Sequence, residues 1–222
     1  MNSPDNRWRN YFLEHTGRKA LLQNAYEHWS FRWPAYEQIF RRVPPGSRIL
    51  DVGCGIGFSA ILLAGYGYKA VGVDNDETII EEARTIGSHF NSDAVFEVRS
   101  AFELDEYYDQ FDMTISFGVV EHFDRETTIG LLGRQARCAP FVLATIPTAH
   151  SSDPITDERL YTTGAFGRLF FAAGLKTVAK FTLGDAGSAR VLKHLLPPVL
   201  YRAVKAICSY APGIGIVGQR NQ

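Results

Sequence analysis

Cysteine is scarce in this sequence: Cys54, Cys138 and Cys208 are the only three among 222 residues. They are too few and too scattered for a disulfide framework, and no two stand at a metal-ligand spacing, so a reducing setting without a bound metal is the expectation. Long apolar runs are missing as well. Nowhere do about 18 apolar residues follow one another, and the opening MNSPDNRWRN is polar, with no apolar signal core. The expectation is therefore a cytoplasmic protein with no stable membrane span. There is no internal repeat and no low-complexity tract. With 45% apolar side chains, the length suits one domain around one sizeable core.

A net charge of −1 conceals three blocks. Residues 1–50 hold eight Lys/Arg against four acids, residues 51–185 ten against twenty, and residues 186–222 five against none. Solvated basic helices flanking an acidic core account for this pattern. A positive surface turned toward an anionic acceptor or a membrane surface is the other reading, and the sequence leaves both open.

What the sequence does have is alternation. Runs of strand character at Arg48–Val52, Lys69–Val73, Ala94–Arg99, Asp112–Phe117 and Phe141–Ile146 are separated by helical stretches at Phe58–Gly65, Glu77–His89 and Arg125–Arg137. This order predicts right-handed βαβ units and a parallel sheet covered on both faces. A further helix over Thr162–Gly174 precedes two last strands at Lys176–Leu183 and Ile214–Gly218. Between those strands lies an insertion, at about 185–212, with a helical run from Val199 to Tyr210. Residues 6–43 read as helical, and Pro44-Pro45-Gly46 hinges them to the first strand. The expected organisation is an N-terminal helical lid over residues 1–45 and a main domain over 46–222.

The first strand runs into ILDVGCGIGFSA, residues 49–60. Glycines between a strand and a helix let backbone approach a ligand closely, and the helix N-terminus offers free N–H groups. Ligands of such sheets sit at the carboxyl ends of the strands, where strand order reverses. A dinucleotide is one candidate: Gly55-Ile56-Gly57-Phe58-Ser59-Ala60 fits G-x-G-x-x-G/A, and Asp74 follows where a ribose-binding acid belongs. Asp51, two residues before the first glycine, opposes a pyrophosphate and suits a cationic ligand better.

The second candidate rests on a resemblance. Leu50-Asp51-Val52-Gly53-Cys54-Gly55-Ile56-Gly57 is similar to the D/E-x-G-x-G-x-G motif of class I, Rossmann-like S-adenosylmethionine-dependent methyltransferases. Val71-Gly72-Val73-Asp74 resembles that family's second strand, Phe111 through Phe123 its fourth strand with the following Glu-His pair, and Thr145-Ile146-Pro147 the end of its fifth. The resemblance implies a seven-stranded, mostly parallel sheet with helices on both faces and an antiparallel last strand. It implies S-adenosylmethionine as cofactor and S-adenosylhomocysteine as product. Asp51, Gly53, Cys54, Gly55 and Gly57 would form the loop under the methionine and ribose, and Asp74 would accept the ribose hydroxyls. The carbonyl of Phe117 or Gly118 would meet the ammonium. Around the adenine the sequence departs from the family: Asn75 stands where an apolar residue is common, and Arg99-Ser100-Ala101-Phe102 where an aspartate is common. Ser100 would then bond the adenine as a neutral group, with Ala101 and Phe102 beside it.

Methyl transfer needs collinear reactants in a dry site and a base only for a protonated nucleophile. His122 is the candidate base, His150 a lesser one; the competing view of the Glu-His pair is a helix cap. In Tyr26-Glu27-His28-Trp29-Ser30-Phe31-Arg32-Trp33 the aromatics form an expected lid, and Arg32 would meet the cofactor's carboxylate. His28 and His194 read as surface or packing residues. The tetrapeptide of amino-methylating nucleic-acid enzymes is absent, Ser116-Phe117-Gly118-Val119 standing in its place, and there is no basic-aromatic stripe. The expected partner is a small-molecule acceptor, apolar or anionic, attacked through O or N, with no nucleic acid; a homodimer is left open. An NAD(P)-dependent oxidoreductase and a non-catalytic S-adenosylmethionine-binding protein are the alternatives.

Overall fold

The computed structural model describes residues 18–149, 151, 158–184, 196, 197, 200 and 211–221, with side chains from Leu21 onward. His150, His194 and the helical run at 199–210, apart from Leu200, lie outside the described residues, as do residues 1–17 and most of the insertion.

Helix α1 (Arg18–Phe40) leads into β1 (Arg48–Val52), α2 (Phe58–Gly65), β2 (Lys69–Asp74), α3 (Glu77–His89), β3 (Val95–Val98) and β4 (Met113–Phe117). Then come α4 (Arg125–Cys138), β5 (Phe141–Pro147), α5 (Thr163–Ala172), β6 (Leu175–Leu183) and β7 (Gly213–Arg220). The helices start where side chains satisfy their free amides. The Asp76 carboxylate accepts from the Thr78 and Ile79 N–H groups, Asp124 from Thr127, and the Thr162 hydroxyl from Ala165. Among the described residues no helix is long and apolar enough to cross a membrane.

The strands form one seven-stranded sheet in the order β3-β2-β1-β4-β5-β7-β6. β1 pairs in parallel with β2 and β4, β2 with β3, and β4 with β5, while β7 runs antiparallel to both β5 and β6. This is the mostly parallel sheet with an antiparallel last strand. Strand order reverses between β1 and β4, so their carboxyl ends diverge into a crevice.

Central strands alternate between two buried faces. Ile49, Met113, Ile115 and Phe117 face a core shared with α2, α3 and the buried Ala25, Ala35, Tyr36 and Ile39 of α1. On the opposite face Leu50, Val52 and Val73 pack with Leu104, Tyr107 and Phe111. Val142, Ala144, Ile214 and Ile216 pack with Leu132 of α4 and with Phe166, Leu169 and Phe170 of α5. Helix α1 therefore contributes to the core as well as lying over the sheet.

The turn into α2 fixes a tight spot. Gly57 has φ 83°, and a Cβ placed there would stand 2.5 Å from the Phe96 ring and 3.2 Å from Ala83 Cβ. Left-handed strain and overpacking then act together. Gly57→Ala should lower the stability of the protein by about 2–4 kcal/mol in urea denaturation, with the m-value unchanged.

Candidate functional site

The crevice between β1 and β4 is lined by the residues that the sequence singles out. Asp51 sits in β1 on the face shared with Ile49, and it is 2% exposed. Beyond it the chain turns through Gly53, Gly55 and Gly57, all at positive φ. Gly53 and Cys54 both donate to the Val73 carbonyl, at 2.8 and 2.9 Å. Gly53 cannot carry a side chain: its Cβ would lie 2.6 Å from Val119 Cγ2, so the loops after β1 and β4 touch here. From the β4 side come Phe117, with a buried ring, and Gly118, whose N–H donates to the Thr145 carbonyl.

Asp74, the last residue of β2, accepts from Gly55 N–H on Oδ2 (3.1 Å) and from Asp76 N–H on Oδ1 (3.2 Å). It thus props the glycine loop, and each oxygen keeps a further lone pair for a ligand. Burial pushes its carboxyl up, against the pull of the amide bonds from Asp76, Gly55 and Asn75. Asn75 itself is exposed. Arg99 N–H, just past β3, donates to the Asp74 carbonyl and brings Ser100, Ala101 and Phe102 to the flank of the crevice. The Ser100 hydroxyl already accepts from Phe102 N–H (3.2 Å). Phe102 is 41% exposed and meets Phe123 edge to face at 5.4 Å, which links the loops after β3 and β4.

The Cys54 thiol donates to the Gly55 carbonyl (3.4 Å), and burial first, then the charges of Asp51 and Asp74, push it well above the ordinary thiol range, which disfavours the thiolate.

His122 closes a short 3₁₀ turn (Val120–His122) after β4. Its carbonyl accepts from the Arg159 guanidinium (3.2 Å), and the Glu121 carbonyl accepts from Arg159 N–H (2.9 Å). The ligand-type atoms of Glu121, His122 and Glu158 lie within 4.8 Å of one another. Glu158 enters from the segment before α5 and carries no sequence signal, because only the fold brings it beside the Glu-His pair.

Helix α1 supplies a half-buried polar cluster that sequence reasoning missed. The Trp29 indole donates to the Phe58 carbonyl (2.7 Å), and Tyr36 OH bonds Ser59 Oγ (2.9 Å) in the first turn of α2. His28 Nε2 also bonds Ser59 Oγ (3.0 Å), and Arg32 Nη1 bonds His28 Nδ1 (3.2 Å). His28 is thus neither a surface residue nor a mere packing residue. Burial, and after it the Arg32 charge, hold its imidazole well below the ordinary range. The one readable signal was the His28/Arg32 spacing of four, which puts both on one helix face. Arg32 also stands 5.9 Å from the Phe117 ring centroid, which brings its charge to the carboxyl end of β4.

The electrostatic focus is Asp51. Its Oδ2 is buried and has no hydrogen-bond partner among the described residues. Burial raises its carboxyl to about 7, with the Arg32 charge pulling it down and the Asp74 charge pushing it up. An acceptor in this state calls for a donor, and a cationic one meets it best. The same shift bears on stability. Because the folded value lies above that of an unfolded carboxyl, at about 4, the stability contributed by protonated Asp51 is complete below that pH and is lost as pH rises through about 7. Asp51→Asn cannot ionise. The unliganded variant should gain on the wild type as pH rises from about 4 to 7, by up to a few kcal/mol, in denaturant titrations run across that range.

Comparison with known proteins agrees with this architecture. Residues 49–139 match the family model described as a methyltransferase domain. A ubiquinone biosynthesis O-methyltransferase of Mesorhizobium japonicum is 33% identical over 93 residues, 41% of this chain and 37% of that protein. The chain thus matches little more than a third of the length of this relative. The same fold appears in magnesium protoporphyrin IX methyltransferase of Synechocystis, solved with bound S-adenosylmethionine, at a TM-score of 0.66 and 14% identity over 99% of this chain and 92% of that one. It appears again in the PH0226 protein of Pyrococcus horikoshii, at 0.67 and 15% over the whole of both chains. Over residues 49–139 this chain is thus similar to the methyltransferase domain family, and its sheet has the fold of the Synechocystis protein solved with bound S-adenosylmethionine.

Proposed function

We propose that the chain is an S-adenosylmethionine-dependent methyltransferase that moves a methyl group to an O or N atom of a small-molecule acceptor by in-line displacement. The observation that carries this reading is the buried Asp51 carboxylate at the head of the glycine loop, whose Oδ2 has no hydrogen-bond partner among the described residues. A pyrophosphate would be repelled there, whereas the ammonium of an amino-acid moiety would be held. This favours S-adenosylmethionine over a nicotinamide dinucleotide.

When bound, S-adenosylmethionine supplies a methyl group activated on a sulfonium. The protein binds, orients and excludes water. Asp51 would hold the ammonium, with the Phe117 or Gly118 carbonyl as a second acceptor. Gly53, Cys54, Gly55 and Gly57 would form the floor, Asp74 would accept the ribose hydroxyls on its remaining lone pairs, and Arg32 would meet the carboxylate. Asn75, Ser100, Ala101 and Phe102 would surround the adenine. Residues 1–45 would act as the lid, with α1 keeping the crevice dry. For a hydroxyl acceptor His122 would take the proton, its imidazole oriented by the neighbouring carboxylates of Glu121 and Glu158.

The acceptor is proposed as a small apolar molecule rather than a nucleic acid. The sequence relative is a ubiquinone biosynthesis O-methyltransferase and the structural neighbour a magnesium protoporphyrin IX methyltransferase, and no basic-aromatic stripe runs through the sequence. The cytoplasm is the proposed compartment, on the scarcity of cysteine.

Calorimetric titration with S-adenosylhomocysteine, with NADH in a parallel cell, tests the cofactor. Saturable binding of the first alone is expected, and binding of NADH alone would refute the reading. In the same assay Asp74→Ala should lose about 1.5–3 kcal/mol of affinity. His122→Ala should leave S-adenosylhomocysteine binding intact while slowing transfer to a hydroxyl acceptor about a hundredfold or more; an unchanged kcat would return His122 to a helix-capping role.

A further inference from the structure

The hydrogen bonds around His28 admit one arrangement of protons on its ring. An arginine only donates, so His28 Nδ1, 3.2 Å from Arg32 Nη1, must present its lone pair. The ring proton then sits on Nε2 and is donated to Ser59 Oγ at 3.0 Å. Ser59 Oγ and Tyr36 OH complete the chain at 2.9 Å, and Tyr36 is fully buried. The ring itself is seated edge to face on Phe58 at 5.5 Å. His28 and Tyr36 are thus both anchored to α2, the helix that leaves the glycine loop.

The far end of this chain is the Arg32 guanidinium. It reaches the carboxyl end of β4, 5.9 Å from the Phe117 ring centroid, and its charge is felt at Asp51. A long arginine side chain loses much rotamer freedom when it is held at one point. A neutral acceptor one helical turn before it imposes that restriction in advance of any ligand.

We infer that His28 is a positioning residue, whose Nδ1 fixes the Arg32 guanidinium at the mouth of the crevice to receive the carboxylate of the cofactor's amino-acid end. The inference rests on the proposed reading, in which the cofactor is S-adenosylmethionine and Arg32 meets its carboxylate. A lysine or arginine at position 28 would repel Arg32, and an aliphatic residue would remove this acceptor from it. Ser59, by bonding Nε2 and being held in turn by Tyr36, keeps the tautomer on which the arrangement depends.

The readout is a ratio of affinities rather than turnover. Calorimetry on the full chain compares S-adenosylmethionine with its decarboxylated analogue, which keeps the sulfonium, the amine and the nucleoside. The wild type should favour the carboxylate-bearing ligand by about tenfold or more, the size of a charge-assisted pair. Arg32→Gln should bring the ratio close to one. His28→Phe keeps a ring between α1 and α2 but no acceptor; it should reduce the ratio by about threefold or more while binding the decarboxylated analogue as the wild type does. His28→Asn, with an acceptor oxygen near the Nδ1 position, should restore most of the preference. A wild-type ratio in His28→Phe, an equal loss for both ligands, or failure of both His28 variants to fold would overturn the inference and make His28 a structural residue. Failure of the underlying reading looks different. The wild type would then bind neither ligand, or Arg32→Gln would leave the ratio unchanged, and the inference would fall with it.

Discussion

Gly53 and Cys54 donate to one carbonyl, that of Val73, and Gly55 donates to the Asp74 carboxylate. These three bonds fold the chain leaving β1 back across the end of β2, and the rest of the site depends on them. They require backbone at positive φ, hence glycine at alternate positions, and they leave no room for side chains against Val119 and Phe96. Strand β1 then ends under its own loop, with Asp51 beneath it. Helix α2 starts close enough for its first turn to meet α1 through Ser59.

A carboxylate in that position is an unfavourable element that a purely structural sequence would discard. Its Oδ2 has lost water without gaining a donor, and burial is the largest cause of its raised pKa. Nearby polar groups are matched instead: Asp74 by two backbone amides, Ser59 by His28 and Tyr36, His28 by Arg32. Thr114 Oγ1 and Ser116 Oγ of the neighbouring β4 also lack a partner among the described residues, but Asp51 is a carboxylate among hydroxyls, and a buried carboxylate oxygen without a donor costs stability that a ligand's donor would restore.

The stretch matched by the methyltransferase family, residues 49–139, covers β1 to β4 and the helices between and after them. It contains the glycine loop, Asp74 and the Glu-His pair. Outside it lie α1 and the strands β5 to β7, which supply the cover and the far side of the sheet. Neighbours at 14% and 15% identity keep the fold nonetheless. Sheet order and a glycine turn constrain few side chains, whereas the core tolerates many apolar combinations of similar volume.

Much of this was legible in the sequence. All seven strands lie within one residue of where alternation placed them, except that β7 runs two residues further at its end, to Arg220. Strand and helix periods are local properties, set by which neighbours must face a core, and Asp51, Gly53, Gly55 and Asp74 are contiguous with the strands that present them. His28 and Glu158 were not legible in the same way. Their roles come from partners distant in sequence, Ser59 for the one and Glu121 and His122 for the other. The sequence by itself determined the elements, their order and the glycine loop, because those follow from local backbone sterics and hydrophobic period. Only the tertiary structure decided that Asp51 is an unmatched buried acceptor and that His28 holds Arg32. Burial and hydrogen-bond pairing are properties of the packed chain and have no local signature.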